Sequence, residues 1–163
     1  KRSAAWFDTV SVPYFFFMIE LPTNRRNCPY SGRIEEDRMS RTKNYTLLVI
    51  DDELQVRRFT QVTLSPHGYD VHSAETGKQG IELGSRLNPD AIILDLGLPD
   101  MDGLEVLSTL KAWYQGPIIV LSVRDDEDSI VCALDSGAHD YIRKPFHLGE
   151  LLARLRLALR NNH

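Results

Sequence analysis

Residues 91–103, AIILDLGLPDMDG, decide the fold of this chain of 163 residues. The run AIIL is wholly apolar, which is typical of a short strand that is covered on both faces. Asp95 follows it directly, and a helical pattern of apolar residues opens at Gly103. In an open parallel sheet the carboxyl ends of the strands form the ligand-binding edge, so Asp95 is expected to lie at such an edge.

The same pattern, an apolar run closed by a polar side chain, recurs along the chain. Asp51 and Asp52 close the run TLLVI, Ser122 closes IIVL, and Lys144 follows the short run DYIR. Helical patterns separate these runs, so that strand and helix alternate five times after residue 44. This alternation predicts a doubly wound α/β domain with a five-stranded parallel sheet.

Turn residues between the apolar runs set the expected boundaries. The expected strands are 46–50, 69–73, 91–94, 118–121 and 140–142, and the expected helices are 53–65, 76–87, 103–113, 126–136 and 148–160. Apolar positions of the first helix include Leu54 and Val62, and Cys132 on the apolar side of the fourth helix is expected to pack against the core. The last helix is expected to bury four leucines against the core: Leu151, Leu152, Leu155 and Leu159.

Composition and charge exclude several classes of protein. The chain is 42% apolar and 26% charged, which is enough for one core of ordinary size. Residues 45–163 carry eleven Lys and Arg against eighteen Asp and Glu, and such an acidic domain is a poor nucleic-acid binder. Cys28 and Cys132 show no metal or disulfide spacing, and the apolar stretch 10–21 is shorter than the roughly 20 residues that span a bilayer. These features predict a cytoplasmic protein without a membrane segment.

Residues 1–44 lie outside the alternating pattern, because three prolines interrupt them and no helical or strand period is sustained. We interpret 1–44 as an N-terminal extension and 45–163 as the domain. Met39 could be a natural start, in which case 1–38 would be translated leader sequence or sequence added upstream. The alternative is that residues 14–19 form a docking segment.

Taken together, the motifs resemble the receiver domain of two-component response regulators over nearly all of residues 45–163. They are the paired acids after the first strand, LDLGLPDMDG after the third, the serine after the fourth and Y-x-x-K-P-F after the fifth. LDLGLPD, VLSVR and ELLARLRLALR are most similar to the OmpR-type, winged-helix regulators, and particularly to the KdpE-like branch that controls potassium uptake. The resemblance implies a flavodoxin-like receiver fold with strand order 2-1-3-4-5, for which this family is itself a standard example.

Clustered carboxylates repel one another unless a cation neutralises them, and Mg²⁺ prefers such oxygen ligands. The resemblance implies that Asp52, Asp95 and the backbone carbonyl of Gly97 bind Mg²⁺ directly, with Asp51 acting largely through water. It also implies that Asp95 is the phosphoacceptor, which takes a phosphoryl group from a sensor histidine kinase and forms an aspartyl phosphate.

The resemblance assigns the remaining pocket residues to catalysis and switching. Lys144 would place its ammonium against the phosphoryl oxygens, where charge spreads in the transition state. Pro145 would follow a cis peptide bond that aims the lysine. Ser122 and Tyr141 would form the switch pair, which transmits phosphorylation to the face made by helix four, strand five and helix five.

That face is the one through which OmpR-type receivers dimerise. They typically pair a lysine of helix four with an acid of helix five, whereas this chain has Ile130 opposite Glu150. They also carry a second acid where this chain has His139, although Asp140 and Arg154 remain available as a pair. We therefore expect any phosphorylation-dependent homodimer to be weak.

Each motif alone has a simpler explanation. Asp51 and Asp52 could cap a helix and complement its dipole. Ser122 alone could be a loop serine, Tyr141 a half-buried strand aromatic, and Lys144 part of an ordinary strand exit. All of the motifs occur in the right order at strand ends, and this favours the functional interpretation.

Two hypotheses for the output stay open. Either the chain is part of a transcription regulator whose DNA-binding domain lies outside it, or it is a stand-alone receiver that acts by protein binding in a phosphorelay. This chain alone is not expected to bind nucleic acid. A phosphatase of the haloacid dehalogenase type would place D-x-D-x-T after the first strand, whereas this chain has DDE at 51–53. We therefore expect not an enzyme but a phosphoacceptor that participates in its own phosphorylation and dephosphorylation.

Overall fold

The computed structural model describes residues 44–161, in which five strands alternate with five helices. The strands are β1 (Tyr45–Ile50), β2 (Tyr69–Ala74), β3 (Ala91–Leu94), β4 (Ile118–Ser122) and β5 (Asp140–Arg143). The helices are α1 (Leu54–Leu64), α2 (Gly77–Leu87), α3 (Gly103–Lys111), α4 (Glu127–Asp135) and α5 (Leu148–Asn161). Every end lies within two residues of its expected position, which is the usual uncertainty of such boundaries.

The expectations about the extension, the start at Met39, the segment 14–19 and Cys28 lie outside the described residues. Among the helices of residues 44–161, none has the length and apolar character needed to cross a membrane.

All five strands are parallel, and their order is β2-β1-β3-β4-β5, as expected. Ile50 of β1 lies opposite Leu94 of β3, so the acids that follow them, Asp51 and Asp95, leave the sheet at the same level. The chain proceeds from β1 to one side of the sheet and from β3 to the other, and this reversal opens a crevice between the two strands. The topology thus explains why acids 44 residues apart in sequence share one site.

The sheet separates two buried layers. Leu47 and Val49 of β1 pack in the layer that includes α1 and α5, and Leu48 and Ile50 pack in the layer that includes α2 and α3. This division follows from the alternation of side chains along a strand. The four leucines of α5 that were expected to face inward are all buried: Leu151, Leu152, Leu155 and Leu159.

The expected packing of Cys132 is wrong, since its side chain is exposed. The buried residue of α4 is Ala133, so this helix rests on the sheet through a narrower stripe than its apolar sequence indicated. In α1, Leu54 and Val62 also face solvent, at 50% and 72% exposure. The buried stripe of α1 instead includes Thr60, whose hydroxyl donates to a backbone carbonyl of its own helix and is therefore satisfied in the core.

Helix α2 buries glycines rather than large apolar side chains. A Cβ added at Gly80 would lie 2.5 Å from Cδ1 of Ile50 and 2.8 Å from its Cγ1 and Cγ2 atoms. The absence of a side chain therefore lets α2 approach β1 closely, at the residue that immediately precedes Asp51. The position of one site residue thus depends on how closely this helix packs.

Gly80→Ala is expected to lower the free energy of unfolding by about 1–2 kcal/mol. A Cβ 2.5 Å from Ile50 should cost about 2–3 kcal/mol, the upper part of the overpacking range, and the helix propensity of alanine returns about 1 kcal/mol. Gly149→Ala is the matched control, since a Cβ there has no neighbouring atom within 4 Å. It should be neutral or stabilising by about 0.5–1 kcal/mol. Urea unfolding of both variants checks this, and an undiminished stability of Gly80→Ala would show that α2 moves away from β1 without loss.

Candidate functional site

Three carboxylates meet where β1 and β3 end. Asp51 is 1% exposed and Asp95 is 5% exposed, whereas Asp52 lies open to solvent. One oxygen from each carboxylate lies within 4.8 Å of the other two. The structure therefore gathers the three acids that the sequence analysis assigned to one edge of the sheet.

Backbone hydrogen bonds hold the two buried acids in place. The Asp95 amide donates to the Ile50 carbonyl at 2.8 Å, which continues the contact between β3 and β1 past the end of the strands. Each carboxylate then accepts through Oδ1 from an amide two residues ahead, that of Glu53 for Asp51 (2.8 Å) and that of Gly97 for Asp95 (3.1 Å). These short turns orient both carboxylates, and each Oδ2 is left to meet the lysine opposite.

Lys144 lies between the acids. Its Nζ donates to Asp95 Oδ2 at 2.7 Å, to Asp51 Oδ2 at 2.8 Å and to Glu53 Oε1 at 2.9 Å. The lysine side chain is 6% exposed, and its backbone amide donates to the Ser122 carbonyl at the end of β4. A single ammonium thus binds acids that follow two different strands.

The electrostatics of the site are those of an acid cluster with one cation. Burial raises the pKa of Asp51 to about 6, and the negative charge of Asp95 acts in the same direction, while the Lys144 ammonium opposes both. Burial disfavours the charged form of Lys144, but the carboxylates of Asp51 and Asp95 raise its pKa above the usual range. One ammonium cannot neutralise all of the acids, so the site keeps an excess of negative charge.

The donor set fits a hard divalent cation. Asp51, Asp52 and Asp95 offer only oxygen ligands, and their spacing lets one ion contact several of them. Such sites suit Mg²⁺, which is commonly held by one or two carboxylates together with water and phosphate oxygens. Gly97 lies next to this group, because its backbone amide donates to Asp95 Oδ1.

The serine and the aromatic residue of the expected switch pair both contact the loop between β4 and α4. Ser122 is fully buried, and its Oγ accepts from the Arg124 amide at 3.3 Å. The Tyr141 hydroxyl donates to the Arg124 carbonyl at 2.7 Å. Burial raises the pKa of Tyr141, and a hydrogen bond with Ser122 acts in the opposite direction. The peptide bond between Lys144 and Pro145, on the neighbouring loop, is cis.

The residues assigned to the dimer face form a network within the chain. Arg154 Nη1 donates to both carboxylate oxygens of Asp140, at 2.9 and 2.7 Å, and its Nε and Nη2 donate to Glu150 Oε1 at 3.0 and 2.9 Å. These two acids raise the pKa of Arg154. Ile130 lies half-buried on α4. Glu150 therefore already has a cation within its own chain.

Sequence reasoning missed three residues that shape the site. Glu53 contacts Lys144, and Arg57 donates to backbone carbonyls of the β1–α1 loop. Asp100 accepts from the Lys78 and Gly77 amides, which lower its pKa and tie the loop after β3 to the start of α2. The motif DDE contains Glu53 but does not indicate its contact with Lys144, and the backbone partners of Arg57 and Asp100 leave no pattern in a single sequence.

Residues 47–156 match the model of the response regulator receiver domain. The chain belongs to this family. The fold, the acid cluster and Lys144 are thus those of a receiver domain of two-component signalling. The observed strand order is the one expected for such a domain.

Two curated relatives and one solved structure illustrate the match. The transcriptional regulatory protein KdpE of Mycobacterium tuberculosis H37Rv is 50% identical over 116 residues, which are 71% of this chain and 51% of that protein. KdpE of Escherichia coli K12 is 48% identical over 116 residues, 71% of this chain and 52% of that protein. The BeF3-activated receiver domain of Klebsiella pneumoniae RstA is 35% identical with a TM-score of 0.68, covering 71% of this chain and 98% of that domain.

The similarity to KdpE agrees with the expected OmpR-type branch of the receiver family. The chain spans about half the length of these curated relatives. The receiver is therefore the part of such regulators to which its residues correspond.

Lys144→Met is expected to lower the free energy of unfolding in EDTA by up to about 3 kcal/mol. This is the low end of the loss when a buried ion pair loses one partner, because the remaining acids can take up a proton. Mg²⁺ should stabilise the variant at least as much as the parent, since its ligands are retained. Urea unfolding with and without Mg²⁺ measures both effects.

Lys111→Met is the matched control for this test, since its Nζ donates to the Gly116 carbonyl at the opposite end of the sheet. It should respond to Mg²⁺ as the parent does. A Lys144→Met protein that is as stable as the parent in EDTA would show that the ammonium does not offset repulsion between the acids.

Proposed function

We propose that this receiver domain accepts a phosphoryl group on Asp95, in a Mg²⁺-dependent transfer from a sensor histidine kinase. The observation that carries the proposal is the Lys144 ammonium, which lies 2.7 Å from Asp95, a member of an oxygen-only ligand group. A nucleophilic carboxylate, a cation and a metal site are the parts that phosphoryl transfer needs, because the chemistry depends on positioning and charge.

Each residue of the site has a separate role in the proposed reaction. A carboxylate oxygen of Asp95 attacks phosphorus in line, the new O–P bond forms, and the N–P bond to the kinase histidine breaks with its electron pair returning to the imidazole. Lys144 moves its contact to a phosphoryl oxygen. Asp52, Asp95 and the Gly97 carbonyl would hold Mg²⁺ directly, with Asp51 acting largely through water. When bound, the ion neutralises charge on the phosphoryl oxygens.

Phosphorylation then changes the contacts of the switch pair. We propose that the Ser122 hydroxyl, which now faces the Arg124 amide at 3.3 Å, donates to an oxygen of the phosphorylated Asp95. The β4–α4 loop would follow the serine. Tyr141 would respond, because its hydroxyl donates to the Arg124 carbonyl of that loop at 2.7 Å. The covalent change would thus reach the surface of α4, β5 and α5.

The output of the whole protein is proposed by similarity. Both KdpE relatives are called transcriptional regulatory proteins, and this chain corresponds to about half of each. We propose that residues 45–163 form the receiver of a cytoplasmic OmpR-type regulator in the KdpE-like branch, whose DNA-binding domain lies outside this chain. A stand-alone receiver in a phosphorelay is the alternative. Sequencing the coding region downstream of His163 distinguishes them.

Wild-type protein incubated with acetyl phosphate and Mg²⁺ is expected to gain the mass of one phosphoryl group, and Asp95→Asn is expected to gain none. The reason is that the family resemblance assigns the acceptor role to Asp95 alone, which lies among the clustered carboxylates 2.7 Å from the Lys144 ammonium. Intact-mass spectrometry with and without EDTA measures both. Asp70→Asn, a change of an exposed acid on β2, is the control and should label normally. Equal labelling of Asp95→Asn would place the acceptor elsewhere.

Phosphorylation-dependent association through α4, β5 and α5 is part of the proposal. Ile130→Lys is expected to tighten the phosphorylated dimer by about two- to thirtyfold. An exposed pair with Glu150 contributes about 0.2–1 kcal/mol, twofold symmetry forms it twice, and about 1.4 kcal/mol is tenfold in affinity. Because Arg154 already binds Glu150, the lower part of this range is favoured.

Sedimentation over a concentration series measures the association. Val131→Lys is the matched control, because it adds the same charge at the next, exposed position of α4. It should not tighten the dimer. Tighter association of the wild type than of Ile130→Lys would show that the isoleucine makes an apolar contact across the twofold axis.

A further inference from the structure

The guanidinium of Arg57 lies under the loop that carries two of the three clustered acids. Its Nη1 donates to the backbone carbonyl of Asp51 at 2.7 Å and to that of Asp52 at 2.8 Å. The arginine side chain is only 12% exposed. A nearly buried cation thus donates to the backbone carbonyls of the two residues whose carboxylates line the proposed metal site.

The other hydrogen bonds of this loop hold Asp51 and Glu53, to which Lys144 donates, and the Asp51 amide donates to the Ala74 carbonyl. Glu53 is the N-cap residue of α1, and its side chain makes no capping hydrogen bond. The Glu53 amide donates to Asp51 Oδ1, which fixes that carboxylate, but Asp52 is exposed. Arg57 reaches both carbonyls from the first turn of α1, where its own amide donates to the Glu53 carbonyl at 3.1 Å. It therefore joins the loop to the helix that follows.

A second contact of Arg57 is with an exposed glutamate. Its Nη2 is 3.4 Å from Glu75 Oε2 in the loop after β2, and the glutamate side chain is 64% exposed. Exposed ion pairs of this kind contribute little. The two charge-assisted bonds to the carbonyls are the ones that define the position of the guanidinium.

We propose that Arg57 is a positioning residue for Mg²⁺, acting through the loop backbone and not as a ligand. The inference rests on the proposed metal site. Mg²⁺ requires near-ideal octahedral geometry, so its affinity depends on how firmly the carboxylates of Asp51 and Asp52 are placed. Groups that orient metal ligands typically account for about 10- to 100-fold in metal affinity.

The sign of the effect separates positioning from simple electrostatics. Arg57 carries a positive charge close to a site for a cation, so removal of that charge alone would tighten Mg²⁺ binding. A purely structural role would lower stability and leave the affinity of the folded protein unchanged. Only a positioning role predicts that loss of the guanidinium weakens the binding of Mg²⁺.

The test is calorimetric titration of the full chain with Mg²⁺ at constant pH. Arg57→Met should bind Mg²⁺ about 10- to 100-fold more weakly than the wild type. Arg57→Lys should lie between the two, because an ammonium can donate to the carbonyls but lies on a shorter, more flexible side chain that does not place the donor where Nη1 lies. Arg58→Met removes the same charge from the adjacent, exposed position and should bind as the wild type does.

Phosphorylation supplies a second measurement. The Mg²⁺ concentration that gives the half-maximal rate with acetyl phosphate should rise in Arg57→Met, while the rate at saturating Mg²⁺ stays close to that of the wild type. Affinity equal to or tighter than that of the wild type would overturn the proposal. If Arg57→Met does not fold, wild-type affinity in Arg57→Lys overturns it, since the placement of the guanidinium nitrogen would then not matter.

These outcomes are distinct from failure of the proposed function. If the wild type neither binds Mg²⁺ nor labels on Asp95, the proposed function fails whatever the arginine variants do. If the wild type does both and Arg57→Met binds Mg²⁺ equally well, only the role of Arg57 is lost.

Discussion

The contact of the Lys144 ammonium with the carboxylates of Asp51 and Asp95 is the interaction on which the site depends. It spans 93 residues of sequence to the first acid and 49 to the second, and it joins the carboxyl ends of β1 and β3 to the loop after β5. Three strands must therefore be in their final order before the contact can form. The site is a product of the whole sheet and not of any one loop.

The same contact explains why a protein can keep buried acids side by side. Burial and mutual repulsion disfavour the charged form of Asp51, and one ammonium offsets only part of this. Folded proteins violate such local rules mainly where function requires it. The remaining negative charge is what would attract a divalent ion to this edge of the sheet in the proposed reaction, and that ion would in turn bind a phosphoryl group.

Much of this arrangement could be predicted from the sequence, because buried strands and the polar residues that close them leave a clear pattern. Alternation alone did not place β1 beside β3; that adjacency came from the family resemblance. Contacts with backbone atoms could not be predicted, and Arg57 was missed for that reason. The exposure of Cys132 was also missed, because an apolar pattern does not say how wide a stripe a helix buries. The sharing of Arg154 between Asp140 and Glu150 depends on side-chain conformations that sequence spacing leaves open.

The glycines of α2 have a consequence for how this domain can vary. The helix places no side chain in the site, yet Gly80 lets it rest directly on Ile50, the residue before Asp51. A larger residue at that position would press on Ile50 and so on the backbone that carries Asp51. The tolerance of the site to sequence change is therefore set partly by helix α2, which packs against β1. The buried glycines of α2 should diverge more slowly among such domains than is usual for residues that contribute no group to the site.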